Sequence, residues 1–228
     1  MKFDIARQPL VPAFMTLFAL AVAAMCAGIP VPDTETSGAV REALPLLGGQ
    51  LARFQAAYPV WSKFAAGFML LFAGMCTGRI SIRYNLYTVG TCLPIPLYAI
   101  VACGIATGGN YLAGFAASML LALATKNYCR AFCNGYGFDA IFRASLYLGL
   151  MPLIYAPALP LLLLLPLAVL LFRRTFREVV VATAGLLLPI FTACYVSWGS
   201  GAEFTAPLVT VGQSAIEGMP LQLFLDIP

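Results

Sequence analysis

Long apolar runs with no charge inside them decide what this chain can fold into. Residues 10–29 (LVPAFMTLFALAVAAMCAGI) and 146–172 (LYLGLMPLIYAPALPLLLLLPLAVLLF) contain no Asp, Glu, Lys or Arg. Crossing a bilayer takes about 20 mostly apolar residues, because backbone groups inside hydrocarbon must be paired within the helix itself. Further apolar runs lie at 60–77, 86–107, 110–125 and 179–198. Charged residues make up 10% of the chain and hydrophobic ones 61%, against roughly 25% charged in a soluble domain. A large core does not explain that shortfall. The expected fold class is all-α, a polytopic transmembrane helix bundle of about seven hydrophobic helices.

The count of seven treats 146–172 as part of a short-helix hairpin, with helices at about 139–156 and 158–172 turning at Tyr155-Ala156-Pro157. Charge placement favours the hairpin over one long tilted helix. With the hairpin, Lys2, Arg7, Arg79, Arg83, Lys126, Arg130, Arg143, Arg173, Arg174 and Arg177 share the cytoplasmic side, and Arg41, Arg53 and Lys63 lie outside, as the positive-inside rule requires. A single helix would divide the cations almost evenly. The expected orientation is therefore N-in/C-out, with a transmembrane domain at 1–198 and an outer tail at 199–228. Met25 and Cys26 interrupt the small-residue pattern of a cleavage site, so the first span reads as retained. Pro94 and Pro96 are expected to free carbonyls within the third span and turn it toward the bundle interior.

Between the first two runs, Val40, Leu44, Leu47, Leu51, Phe54 and Tyr58 follow a 4-3-4-3-4 spacing, one apolar stripe of an amphipathic helix at about 38–58 in the outer interface. The stretch 126–143 (KNYCRAFCNGYGFDAIFR) mixes aromatic rings with cations, the composition of an interface-level helix that anchors to lipid heads.

Chemistry is constrained mainly by what is missing. The chain has no histidine, so the commonest general base and the commonest zinc and haem ligand are absent. The seven cysteines fall mostly in apolar runs, where they behave as small hydrophobes. Cys129 and Cys133 share a helix face without further ligands. No metal site and no cofactor are expected. No carboxylate falls mid-span, which disfavours an ion-coupled transporter. Asp33 and Asp139 are the candidate general bases, since a positioned carboxylate can serve without histidine; Asp139, at a helix start, also offsets the helix dipole. Arg79, Arg83, Arg143, Arg173, Arg174 and Arg177 are the candidate contacts to lipid or phosphate. Net charge of +4 follows from membrane orientation and makes no basic face for nucleic acid.

The pieces NYLAGF (110–115), FDAIFRASLYLGL (138–150), LIYAPAL (153–159) and FRRTFRE (172–178) resemble a family of polytopic inner-membrane proteins from Bacteroidota, catalogued as a domain of unknown function. The resemblance covers a little over a third of the chain and implies a bacterial inner-membrane location. Some members carry an oxygenase label whose iron would need several histidines, which this chain lacks. A fainter similarity, through the hairpin with arginines behind it, is to multi-span glycosyltransferases that use polyprenyl-phosphate sugars. The function expected is a non-catalytic envelope scaffold or accessory subunit, in contact with membrane lipids and a membrane-protein partner. The alternative is a membrane enzyme or carrier for a lipid-linked phosphate.

Overall fold

Proline sets several helix boundaries. The computed structural model describes residues 10–26, 46–83, 92–106, 110–133, 137–163 and 175–218, and every regular element in them is helical. In order they are α1 (Leu10–Cys26), α2 (Leu46–Ala57), α3 (Pro59–Arg83), α4 (Pro94–Ala106), α5 (Tyr111–Cys133), α6 (Phe138–Ile154), a 3-10 helix (Ala156–Leu163), α7 (Phe176–Gly199) and α8 (Ala206–Gly218). Pro59 and Pro94 open α3 and α4, the position where a missing N–H costs nothing. Tyr58, just before Pro59, is turned away from helical geometry by the ring behind it, which separates α2 from α3. Pro94 and Pro96 thus sit in the first turn of α4, and the expectation that they break a span from within is corrected. At the other end of the chain, α7 stops where Gly201 takes φ +87° and donates its N–H to the Trp198 carbonyl, a left-handed turn that glycine adopts without strain.

Among the described residues two helices, α3 and α7, are long and apolar enough to cross a membrane; α1 and α4 are shorter apolar helices. Both long helices invert the soluble pattern. In α7 the buried positions are Glu178, Ala182, Gly185, Pro189, Cys194 and Ser197, while Phe176, Val180, Leu187, Leu188, Phe191, Tyr195, Val196 and Trp198 are exposed. In α3, Ser62, Ala66, Gly67, Ala73, Gly74, Cys76, Gly78 and Ser81 face inward together with Leu70 and Ile80, and Trp61, Phe64, Phe68, Phe72, Met75 and Ile82 face outward. Small residues inside let backbones approach closely; large apolar residues outside would be costly in water.

Contacts divide the chain into two compact units, one holding α1, α3, α4 and α5 and the other α6, the 3-10 helix, α7 and α8, with α2 straddling the division at Arg53 and Phe54. In the first unit, side chains added at Gly67 and Gly74 would meet Met25 and Leu17, so α1 runs antiparallel to α3. Gly78 abuts Ile95, while the Tyr98 hydroxyl bonds to Ser118 at 3.1 Å and Gly114 abuts Ile105, so α4 is antiparallel to both α3 and α5. The buried Ser62–Tyr111 hydroxyl pair, 2.5 Å apart, and the cluster of Ala73, Cys76, Met119 and Ala122 set α5 parallel to α3. The path alternates down and up, one helix after the next. Near Tyr111, Gln55 Oε1 accepts the Leu112 N–H at 3.3 Å, satisfying a donor left open at a helix start.

In the second unit α6 and α7 run parallel. A Cβ on Gly185 would lie 2.7 Å from the Phe142 carbonyl oxygen and 3.0 Å from Ser145 Cβ, and one on Gly149 would strike the Leu186 carbonyl. Only a parallel register brings both contacts to consistent heights. The same follows from α8, which continues from α7 and packs on the 3-10 helix that continues from α6. The connection from Ile154 to Phe176 therefore starts at one end of the pair and finishes at the other. Tyr155 is non-helical, at the turn expected from the sequence, but Ala156–Leu163 is a 3-10 helix where an α-helix was expected from 158. Pro157 and Pro160 remove the N–H donors an α-helix would need there. Residues 164–174 lie outside the described residues.

Other expectations change in detail. The interface helix expected at 38–58 is Leu46–Ala57, with 38–45 outside the described residues. The stretch 126–143 is no single helix: its first part extends α5 to Cys133 and its last part opens α6 at Phe138. The tail from Gly199 holds α8, an element the apolar pattern did not reveal.

Replacing Gly149 or Gly185 with leucine should lower stability by about 1–3 kcal/mol, the range for overpacking. Thermal unfolding in detergent measures this, and Gly212→Ala, where a Cβ meets open space, should leave the midpoint unchanged or raise it.

Candidate functional site

A groove of about 460 Å³ opens at one end of the first unit, lined by Leu10, Phe72, Met75, Cys76, Gly78, Arg79, Ile82, Arg83, Ile95 and Lys126. Its position follows from helix directions. Antiparallel α1 and α4 bring Leu10 and Ile95 to the last turns of α3, and parallel α5 brings Lys126 to the same level. Arg79 and Arg83 are one turn apart on α3 and exposed, whereas Lys126 is half-buried. Among the described residues no carboxylate lines the groove, and none forms a salt bridge with Arg79, Arg83 or Lys126. The arrangement can hold an anion through charge-assisted hydrogen bonds beside an apolar trough.

The structure thus gathers Arg79 and Arg83 from the expected set and adds Lys126, which the sequence reading had used only for anchoring. Their shared level depends on the register of α5 against α3, and the sequence carries no signal for it. Asp139 and Arg143 come together at the start of α6, with Arg143 Nε donating to Asp139 Oδ1 at 3.0 Å, both side chains well exposed at 59% and 70%. Because α6 and α7 are parallel, exposed Arg177 and buried Glu178 begin α7 at that same end of the second unit. Glu178, only 2% exposed, is the acid whose burial the sequence did not announce; its place in a helix's first turn is favourable for a carboxylate. Asp33, Arg173 and Arg174 lie outside the described residues. Among the described residues no three of His, Cys, Asp and Glu come together.

A second, shallower surface of about 560 Å³ lies across the α2–α3 junction, lined by Phe54, Tyr58, Trp61, Phe64, Ala65 and Phe68. Its rings contact in pairs, Phe54 with Tyr58 at 5.6 Å and Trp61 with Phe64 at 6.4 Å between centroids. Such open aromatic surface suits the headgroup region, where amphipathic rings partition.

Comparison of the chain with protein-family models, curated proteins and solved structures returns no match. The functional reading therefore rests on the chain's own residues.

Since Asp139 and Arg143 form an exposed i,i+4 pair, Asp139→Asn should change stability by no more than about 0.5 kcal/mol. Chemical denaturation tests this, and a drop of several kcal/mol would show that the carboxylate has a further buried partner.

Proposed function

We propose that this chain is a polytopic inner-membrane protein of the bacterial cell envelope, with its N-terminus inside and its C-terminus outside, and that it acts as a non-catalytic scaffold or accessory subunit. The observation that carries the membrane reading is the inverted surface of α3 and α7, aromatic and aliphatic outward over a small-residue interior. Spacing along both helices supports it: Trp61 and Arg79 are separated by about 27 Å of α3, and Arg177 and Trp198 by about 32 Å of α7, at 1.5 Å per residue. A hydrocarbon core is about 30 Å thick. In each helix the tryptophan marks one interface and the arginine the other, as aromatic belts and the positive-inside rule prescribe.

The proposed count is about seven crossings, with α1, α3, α4, α5, α6 and α7 among them. The scaffold reading is supported by broad apolar faces. A second reading, a carrier or enzyme for a lipid-linked phosphate, is favoured by the groove itself.

After alkaline carbonate treatment the protein should stay in the membrane fraction, and mild crosslinking followed by affinity purification should recover a membrane protein in fixed ratio. Release into the soluble fraction would contradict the membrane reading. Recovery of the chain alone would contradict the scaffold.

A further inference from the structure

We propose that the groove at the end of α3 binds one anionic membrane lipid, its phosphate-monoester head held among Arg79, Arg83 and Lys126 and its chain lying along Phe72, Met75 and Ile82. The proposal rests on the membrane reading above and adds a ligand class to it. Three cationic side chains from two helices line one groove, and among the described residues no acid joins the lining or forms a salt bridge with any of them. Like charges one turn apart on a helix repel, so Arg79 and Arg83 favour a counter-anion between them. A zwitterionic head brings its own cation and leaves the rim unbalanced, whereas a phosphate monoester carries about −1.5 to −2 near neutral pH. Arginine forks match phosphate oxygens two at a time.

The rest of the groove argues for a chain on that phosphate. Leu10, Phe72, Met75, Ile82 and Ile95 form its walls, and its volume of about 460 Å³ falls in the usual range for ligand pockets. Free phosphate would use the rim and leave this trough empty. Depth agrees as well: the cations lie about 27–33 Å along α3 from Trp61, so they meet the headgroup layer while the trough runs back into hydrocarbon. A lipid of the same leaflet can enter sideways with its head and chain already at the right levels.

The test uses the full chain in phosphatidylcholine nanodiscs containing a minor fraction of either phosphatidic acid or phosphatidylglycerol, followed by release into detergent and mass spectrometry of retained lipid. The expected result is one retained phosphatidic acid, enriched at least about tenfold over phosphatidylcholine and above phosphatidylglycerol, since each basic side chain near an anionic lipid contributes severalfold. The double substitution Arg79→Gln with Arg83→Gln should abolish the enrichment, and Arg130→Gln, outside the groove, should not. Met75→Trp, which keeps all three cations but fills the trough, should also reduce it. Retention that mirrors bulk lipid, retention unchanged in the double variant or in Met75→Trp, or displacement of lipid by inorganic phosphate would each overturn the proposal. A protein that does not enter nanodiscs at all would instead overturn the membrane reading.

Discussion

The contacts at Gly149 and Gly185 place two backbones against each other with no side chain between them, and the architecture of the second unit depends on that closeness. Carbonyls of Leu186 and Phe142 occupy the space where Cβ atoms would stand. Ala182 and Ser145 complete the seam. With the small residues committed to the interface, most large apolar side chains of α7 are left facing outward. In water that surface would be a strong drive to aggregate; in hydrocarbon it is the ordinary exterior of a helix, and close packing of small residues is what holds such helices together. The first unit uses the same device, with Gly67, Gly74 and Gly78 of α3 receiving Met25, Leu17 and Ile95.

Helix direction follows from those seams, and charge placement follows from direction. Parallel α6 and α7 put Asp139, Arg143, Arg177 and Glu178 at one end, with Trp198 at the other. Antiparallel α1 and α4 around parallel α3 and α5 gather Arg79, Arg83, Lys126 and Arg130 at one end of the first unit and leave Tyr58 and Trp61 at the opposite end. The groove is a product of the same arrangement: Leu10 and Ile95 begin their helices where Arg79 and Arg83 finish theirs.

Much of this was legible in the residues, and what was not has a physical cause. The apolar runs placed α3 and α7 and the Tyr155-Ala156-Pro157 turn marked the end of α6, whereas the Asp139–Arg143 pair, one turn apart, was read only as two separate candidates. Which face of each helix turns inward was hidden, because both faces are apolar and only residue size separates them; Phe68 and Leu70 look alike to a hydropathy scale, yet one is exposed and the other buried. Pro94 and Pro96 were misjudged because the start of α4 is not marked by a polar cap, so they looked internal. Ala156–Leu163 was expected to be α-helical because leucine content outweighed the two prolines. Lys126 joined the groove through an interhelical register that local spacing does not encode, and α8 was missed because its alternation of small and polar residues resembles a loop.

The central claim is that the second unit crosses a membrane, with the first turns of α6 and α7 on one side and the turn after α6 and the end of α7 on the other. Single cysteines at Tyr155, Thr175 and Glu203 on a cysteine-free background test it directly, using a membrane-impermeant thiol reagent on intact cells. The account predicts labelling of Tyr155→Cys and Glu203→Cys from outside, and labelling of Thr175→Cys only after permeabilisation. Labelling of Thr175→Cys in intact cells, at the level of the other two, would contradict it.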